Sequence, residues 1–239
     1  MKYLELTFSD PASNLACDES LIELLEDSKS DDGILRLWEP NNYFVVLGYA
    51  NKILSEVDTS ACERHGIPVL RRFSGGGTVL QGPGCLNYSL ILPNGYDDRD
   101  TIRGSYSFVL ERHQQCIEEL LRIPVEIEGI SDLAVNGRKF SGNSQNRKRH
   151  FVLVHGTFLL DLDLALVETY LRMPSKQPQY RESRTHKDFL RNIHLEKGDV
   201  CKRLKDIWRA TAEFVTVPHA RIHELVQEKY GRQDWTHRF

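Results

Sequence analysis

Asp132-Leu133-Ala134-Val135-Asn136-Gly137-Arg138-Lys139-Phe140 is the stretch on which the fold turns. Asn-Gly between two extended runs predicts a tight hairpin, because both turn positions need a positive φ that Asn and Gly tolerate. Downstream, His150 to Leu162 reads as a long apolar strand, with Gly156 as the place for a break. Upstream, Leu86 to Leu92 is another apolar run closing at Pro93. Ile34 to Trp38 follows a turn at Asp31-Asp32-Gly33, and the aromatic and β-branched run Tyr43 to Leu47 is expected to pair with it. Shorter extended runs fall at Ile67–Leu70 and Thr78–Leu80.

Helices surround these strands. Asp10-Pro11 is a cap followed by proline at the first helical position, and Cys17, Leu21, Leu24 and Leu25 then form one stripe. Tyr106, Val109, Leu110, His113, Ile117, Leu120 and Leu121 make a second, ended by Pro124. Val200, Leu204, Ile207, Trp208 and Thr211 make a third; Ile222, Leu225 and Val226 precede Gly231, a C-cap. Strands in the first two thirds, joined by hairpins, and helices at the start, middle and end predict an α+β fold: a mixed or antiparallel sheet with flanking helices. Without repeat or linker, residues 1–239 are expected to form a single domain. The polar segment Ser175–Lys187 is expected to be a mobile loop.

Composition narrows the class. Hydrophobic residues at 40%, with 16 glycines, fall in the globular range and exclude a disordered or fibrous chain. With 31 Lys and Arg against 34 Asp and Glu, the net charge of −3 gives no bulk attraction for nucleic acid or anionic membrane, and neither is expected as a partner. No apolar run approaches the ~18 residues of a membrane span, and the N-terminal residues lack the apolar core of a signal peptide. Cys17, Cys62, Cys85, Cys116 and Cys201 contain no CxxC pair and are odd in number, which predicts free thiols in a reducing cytoplasm.

Three segments carry chemistry. In Arg71-Arg72-Phe73-Ser74-Gly75-Gly76-Gly77-Thr78-Val79, the glycines let successive N–H groups face one concavity that suits a carboxylate or phosphate, and the arginines offer forked donors. The plain alternative is a flexible turn with solvated arginines. In the hairpin, Arg138 and Lys139 point to opposite faces, so one of them faces a site; Ser141 and Gly142 allow close backbone approach. Alone, that segment reads equally as an exposed, soluble tip. In His155-Gly156-Thr157-Phe158-Leu159-Leu160-Asp161, a polar interruption of an apolar strand suggests passage beside a pocket, or a hydrogen-bonded core histidine.

Taken together with Trp38-x-Pro40, Val45-Val46-x-Gly48, Asn51 and Glu56-Val57, the segments RRFSGGGTV, GRKFSGNSQ and HGTFLLDLD resemble, in order and spacing, the lipoate–protein ligases of the biotin/lipoate ligase and octanoyltransferase superfamily. The resemblance runs from about residue 34 to 165, and more loosely through Glu182-Ser183-Arg184 to Asn192. It implies an enzyme that activates lipoate with ATP to lipoyl-AMP and passes the lipoyl group to a lysine of a lipoyl-domain acceptor protein. Lys139 matches the family's catalytic lysine. Arg72, Ser74, Gly75, Gly76, Gly77, Thr78 and Val79 match its lipoyl and phosphate loop, and Asp132, Ser141, Gly142, His155 and Gly156 complete the implied site. Mg²⁺ is implied with the pyrophosphate leaving group, with Asp132 as candidate ligand. Val79, Phe140 and Phe158 are the candidates for the slot holding the lipoyl tail.

Departures from the pattern leave other readings open. Octanoyltransferases of the superfamily use a cysteine thioester, with the nucleophile just before the segment equivalent to Asp132-Leu133; here Glu126 to Ser131 holds no cysteine, and Cys85 reads as pocket wall or core. Gln81-Gly82 stands where many ligases have His-Asp. Many ligases also carry a C-terminal accessory domain, in some relatives a separate subunit. The alternatives are a short self-sufficient ligase, a catalytic half needing an accessory subunit, a cysteine-dependent octanoyl or lipoyl transferase, and a non-catalytic lipoyl- or carrier-binding protein.

Overall fold

The computed structural model describes residues 1–28, 32–95 and 101–239. Its hairpin is as expected: β8 (Asp132–Val135) and β9 (Arg138–Arg147) are joined by Asn136 and Gly137 at φ 52° and 66°. β10 (Phe151–Leu159) lies between β9 and β6 (Cys85–Pro93), antiparallel to both. β2 (Ile34–Trp38) continues the sheet beyond β6, followed by β1 (Lys2–Glu5) and β11 (Ala212–Glu213), while β7 (Glu126–Glu128) closes the far edge. The pairings of β1 with β2 and β11 are parallel and the rest antiparallel, so the eight-stranded sheet is mixed, as expected of this α+β class.

Side-chain alternation along β10 shows how the layers form. Phe151 and Leu153 enter a core with α1 (Pro11–Ser28) and α8 (His219–Leu225); Val152, Val154 and Phe158 enter the opposite core with α4 (Ile102–Leu121) and α7 (Lys197–Ile207). β10 runs unbroken through Gly156, against expectation. A Cβ there would overlap the Asn143 amide, so glycine makes room for a neighbour instead of ending the strand.

β3 (Phe44–Leu47) does not pair with β2. It is central in a small separate sheet, parallel to β4 (Val69–Arg71) and antiparallel to β5 (Val79–Gln81). Val45, Leu47 and Leu80 of that sheet pack with α3 (Thr59–His65) and α5 (Leu164–Tyr170) in a third core. The reason is physical: β2 already has β1 and β6 on its two edges, leaving no ladder for β3. Thr211 is exposed beyond the end of α7, and Gly231 ends the C-terminal helical segment with φ −85°, not in the left-handed form. The expected turn at Asp31-Asp32-Gly33 begins outside the described residues. No described helix is long and apolar enough to cross a membrane.

Candidate active site

Strand register builds the floor of a cavity of about 580 Å³. Arg36 on β2, Ser89 on β6, His155 on β10 and Ser144 on β9 stand opposite one another in one row across four strands. The next row is Trp38, Asn87, Thr157 and Gly142. Directly opposed residues share a face, so the polar interruptions at His155 and Thr157 become one polar surface. In the second row Gln81 Nε2 donates to Thr157 Oγ1 at 2.8 Å, Thr157 Oγ1 to Asn87 Oδ1 at 2.6 Å, and Asn87 Nδ2 to Gln81 Oε1 at 2.9 Å. Gln81, an unusual residue for the motif, thus closes a ring of three hydrogen bonds in the cavity wall.

Above the first row lies Asp18 of α1. Its Oδ1 accepts from Arg36 Nη1 at 2.6 Å; its Oδ2 accepts from Ser89 Oγ at 2.7 Å and lies 3.4 Å from His155 Nδ1. Burial alone would raise the Asp18 pKa, but Arg36, His155 and Ser89 outweigh it and hold the carboxyl below its usual range. An ionised Asp18 assigns the proton to His155 Nδ1, so Nε2 accepts from Ser74 Oγ at 2.6 Å. Arg72 continues the chain: Nε donates to Ser74 Oγ at 3.1 Å and to the Gly75 carbonyl at 3.0 Å, and Nη2 to the Gly77 carbonyl at 2.8 Å. One polar chain therefore runs from α1 through three strands to the glycine turn.

This chain corrects the reading of the arginines as anion donors. Arg72 lines the cavity, but its donors hold the turn's own carbonyls, and burial lowers its pKa to about 10. Arg71 faces elsewhere and donates to the carbonyls of Gly48, Tyr49, Asn51, Trp235 and Thr236. Ser74 is 1% exposed and lies behind the cavity wall, where His155 and Arg72 engage it. Both ring nitrogens of His155 are engaged, which fixes the ring in the cavity wall.

Lys139 is brought in as the hairpin predicted. Arg138 turns outward to the carbonyls of Lys187 and Leu190, while Lys139 faces the cavity and sets Nζ 2.8 Å from Asp132 Oδ1. A bulge assists: Leu133 opposes Ser141 but Ala134 opposes Lys139, leaving Phe140 as the extra residue. Phe140 and, by the regular alternation of β10, Phe158 enter the α4–α7 core and do not line the cavity, whereas Val79 does; the apolar wall also includes Leu15, Trp38 and Val46. A Cβ at Gly142 would lie 2.6 Å from both Cε and Nζ of Lys139. Gly142→Ala should thus leave the fold intact while displacing the ammonium, and cut turnover by about 10²-fold, the scale of a 1 Å misplacement; unchanged turnover with a normal Tm would contradict this.

The Ser175–Lys187 segment packs over this centre. Tyr180 OH donates to Asp132 Oδ2 at 2.8 Å, and burial followed by the Asp132 charge raises the Tyr180 pKa, keeping the hydroxyl protonated. Of the expected site residues, Lys139, Arg72, Gly76, Gly77, Thr78, Val79, Asp132, Ser141, Gly142, His155 and Gly156 line the cavity. Ser74 lies behind it, and Gly75 faces an adjoining open cleft of about 1240 Å³. Asp18, Arg36, Tyr180 and the Gln81–Asn87–Thr157 ring were not anticipated.

The five cysteines are free. Burial pushes the Cys85 thiol up to about 12, with Cys85 in the core beside Leu80, and no cysteine lines either cavity.

Comparison with known proteins agrees with the geometry. The chain is 27% identical to lipoate-protein ligase LplJ of Bacillus subtilis, over 96% of this chain and 71% of the relative. It is also 27% identical to octanoyltransferase LipM of Geobacillus kaustophilus, over 98% of this chain and 96% of the relative. In fold it is similar to a lipoate-protein ligase A crystallised with ATP (TM-score 0.82, 21% identity, 99% of this chain and 98% of that one). It is also similar to a chain from a bipartite lipoate protein ligase and E2 lipoyl domain system of Thermoplasma acidophilum (TM-score 0.81, 20% identity, 99% and 96%). Residues 10–203 match the lipoyl protein ligase A/B catalytic domain, and the chain belongs to that family.

Proposed function

We propose that this chain is an ATP-dependent lipoate–protein ligase, working as one catalytic domain over residues 1–239, that forms lipoyl-AMP and transfers the lipoyl group to a lysine of a lipoyl domain. The observation that carries the choice over the thioester route of LipM-type relatives is that no cysteine lines the cavity, while a lysine does. A thioester route needs a thiolate at the acyl carbonyl, and a core thiol raised to about 12 cannot supply one.

The chemistry asks for cation, not nucleophile. A carboxylate attacking the α-phosphorus of ATP brings two anions together, and the Lys139 ammonium beside Asp132 is the positive charge positioned to span them. The Gly76–Gly77 turn, fixed by Arg72, lines the junction where phosphate oxygens would lie. Lipoate's hydrocarbon tail would run along Val79, Val46, Leu15 and Trp38. In the second step the neutral acceptor amine attacks the mixed-anhydride carbonyl; the C–N bond forms as the C–O bond to phosphate breaks, AMP leaves, and the proton lost by the nitrogen passes to solvent.

Among the described residues no group of three or more His, Cys, Asp or Glu could cage a metal. The Asp132 oxygens, which meet Lys139 and Tyr180, would each keep a second lone pair for Mg²⁺, whose other ligands would be phosphate and water. When bound it would neutralise the pyrophosphate that leaves.

Cys85→Ser tests the choice of route. Lipoate-dependent release of pyrophosphate from ATP, without acceptor, should persist within about twofold in this variant. Loss of acyl transfer in Cys85→Ser with a normal Tm would return the reaction to a thioester.

A further inference from the structure

The open cleft beside the glycine turn has its own chemistry. Four cations line it, Lys52, Lys148, Lys176 and Arg238, and none forms an ion pair with another described residue. A fifth, Lys229, is neutralised by Glu19. The Arg238 guanidinium stands 5.1 Å from the Tyr49 ring and 4.6 Å from the Trp235 ring, while Arg71 clamps the Tyr49 and Trp235 carbonyls. Tyr49 and Phe239 are nonetheless partly exposed, as is Leu54 on the short helix Ile53–Glu56 that follows Lys52. A rigid aromatic and arginine cluster with a cationic rim is the anatomy of a docking surface for an acidic protein.

Where the cleft meets the inner cavity, the shared lining is Glu56, Gly76, Gly77, Pro174 and Lys176. Glu56 is the one carboxylate at that junction, 3% exposed, with Oε1 accepting from the Ser175 hydroxyl and amide. The sequence motif contains Glu56, yet the acyl-activation chemistry has no use for it. A buried carboxylate beside that opening offers a counter-charge to an incoming ammonium.

We propose that the cleft seats an acidic acceptor domain through Lys52, Lys148 and Arg238, and that Glu56 takes the ammonium of the acceptor lysine as it enters the inner cavity. This rests on the ligase reading for its chemistry but not for its binding. Cations outside draw in the acidic domain; the carboxylate inside selects its lysine.

The test uses the full chain and an unmodified E2 lipoyl domain. Binding of that domain is measured by calorimetry without ATP; turnover is measured with the domain and, separately, with hydroxylamine replacing it. The double substitution Lys52→Glu and Lys148→Glu should weaken domain binding at least tenfold at low salt and flatten its dependence on ionic strength. Hydroxamate formation should stay unchanged. Glu56→Gln should lower kcat with the domain about tenfold, a term that the double lysine variant leaves alone. Unaltered domain binding in the lysine variant, or a raised KM for ATP in its place, would overturn the proposal and give the cleft to nucleotide. A parent chain that binds the domain through these lysines yet makes no hydroxamate would sustain the docking surface and refute the ligase reading.

Discussion

Lys139→Ala is expected to lower lipoate-dependent pyrophosphate release by about 10²-fold or more, the loss of one preorganised charge where negative charge gathers. Three features fix the ammonium: the bulge at Phe140 that aims the side chain, Asp132 at 2.8 Å, and the missing Cβ of Gly142 that leaves space beside it. Lys139 is a quarter exposed at its side chain, so its removal should leave Tm within a few degrees and separate catalysis from stability. Lys139→Arg should not restore the rate, because a planar fork does not fit a point charge held in that gap. An alanine variant with the parent's rate would remove Lys139 from the site.

Asp18→Asn is expected to have the largest effect on stability. It leaves Arg36, which is completely buried, without a counter-charge, and removing one partner of a buried pair costs about 3–5 kcal/mol. For a chain of this size that corresponds to a fall in Tm of about 6–20 °C. Arg36 keeps its bonds to the carbonyls of Leu6 and Asn14, which favours the lower half of that range. The same substitution frees the His155 ring and, through it, Ser74 and the glycine turn, so KM for lipoate should rise along with the loss of stability. The pH dependence has a definite sign. The folded pKa of Asp18 lies below its unfolded value of about 3.9, so its contribution is complete above about pH 4 and is lost as pH falls through the folded value. Acid unfolding should consequently be less steep in Asp18→Asn than in the parent; equal Tm and equal acid profiles would dismiss the Asp18 pair as a stabilising element.

The hairpin, β10 and the three long helices were legible because each is a local matter of turn chemistry or period. Asn136 and Gly137 announce a turn that needs two positive φ angles, and the residues of β10 alternate between two helical layers. The cavity lining was legible in part for the same reason: glycines and a lysine at fixed offsets. What escaped depends on partners far away in sequence. Pairing β2 with β3 assumed that neighbours in sequence are neighbours in the sheet, whereas β1 and β6 already fill the edges of β2. Phe140 faces the core because a one-residue bulge resets the alternation along β9, and Phe158 because it alternates with His155 and Thr157 on the unbroken β10. Asp18 does leave a signal in the sequence. Asn14 and Asp18 are one helical turn apart on α1, beside the apolar stripe of Cys17 and Leu21, and both are buried. A polar pair on a buried helical face implies a buried partner, and Arg36, alone among apolar residues in its strand, is a candidate for it. Tyr180 gave no such sign: its contact with Asp132 spans 48 residues and depends on how the segment after Pro174 folds over the cavity.

The mass of the acceptor distinguishes ATP-dependent ligation from acyl transfer. The purified chain is incubated with lipoate and an unmodified lipoyl domain, with and without Mg-ATP, and the domain is weighed by mass spectrometry. The domain should gain one lipoyl group, and only with ATP. A gain from an octanoyl-carrier donor without ATP, and none from lipoate with ATP or from synthetic lipoyl-adenylate, would contradict it and assign the reaction to acyl transfer.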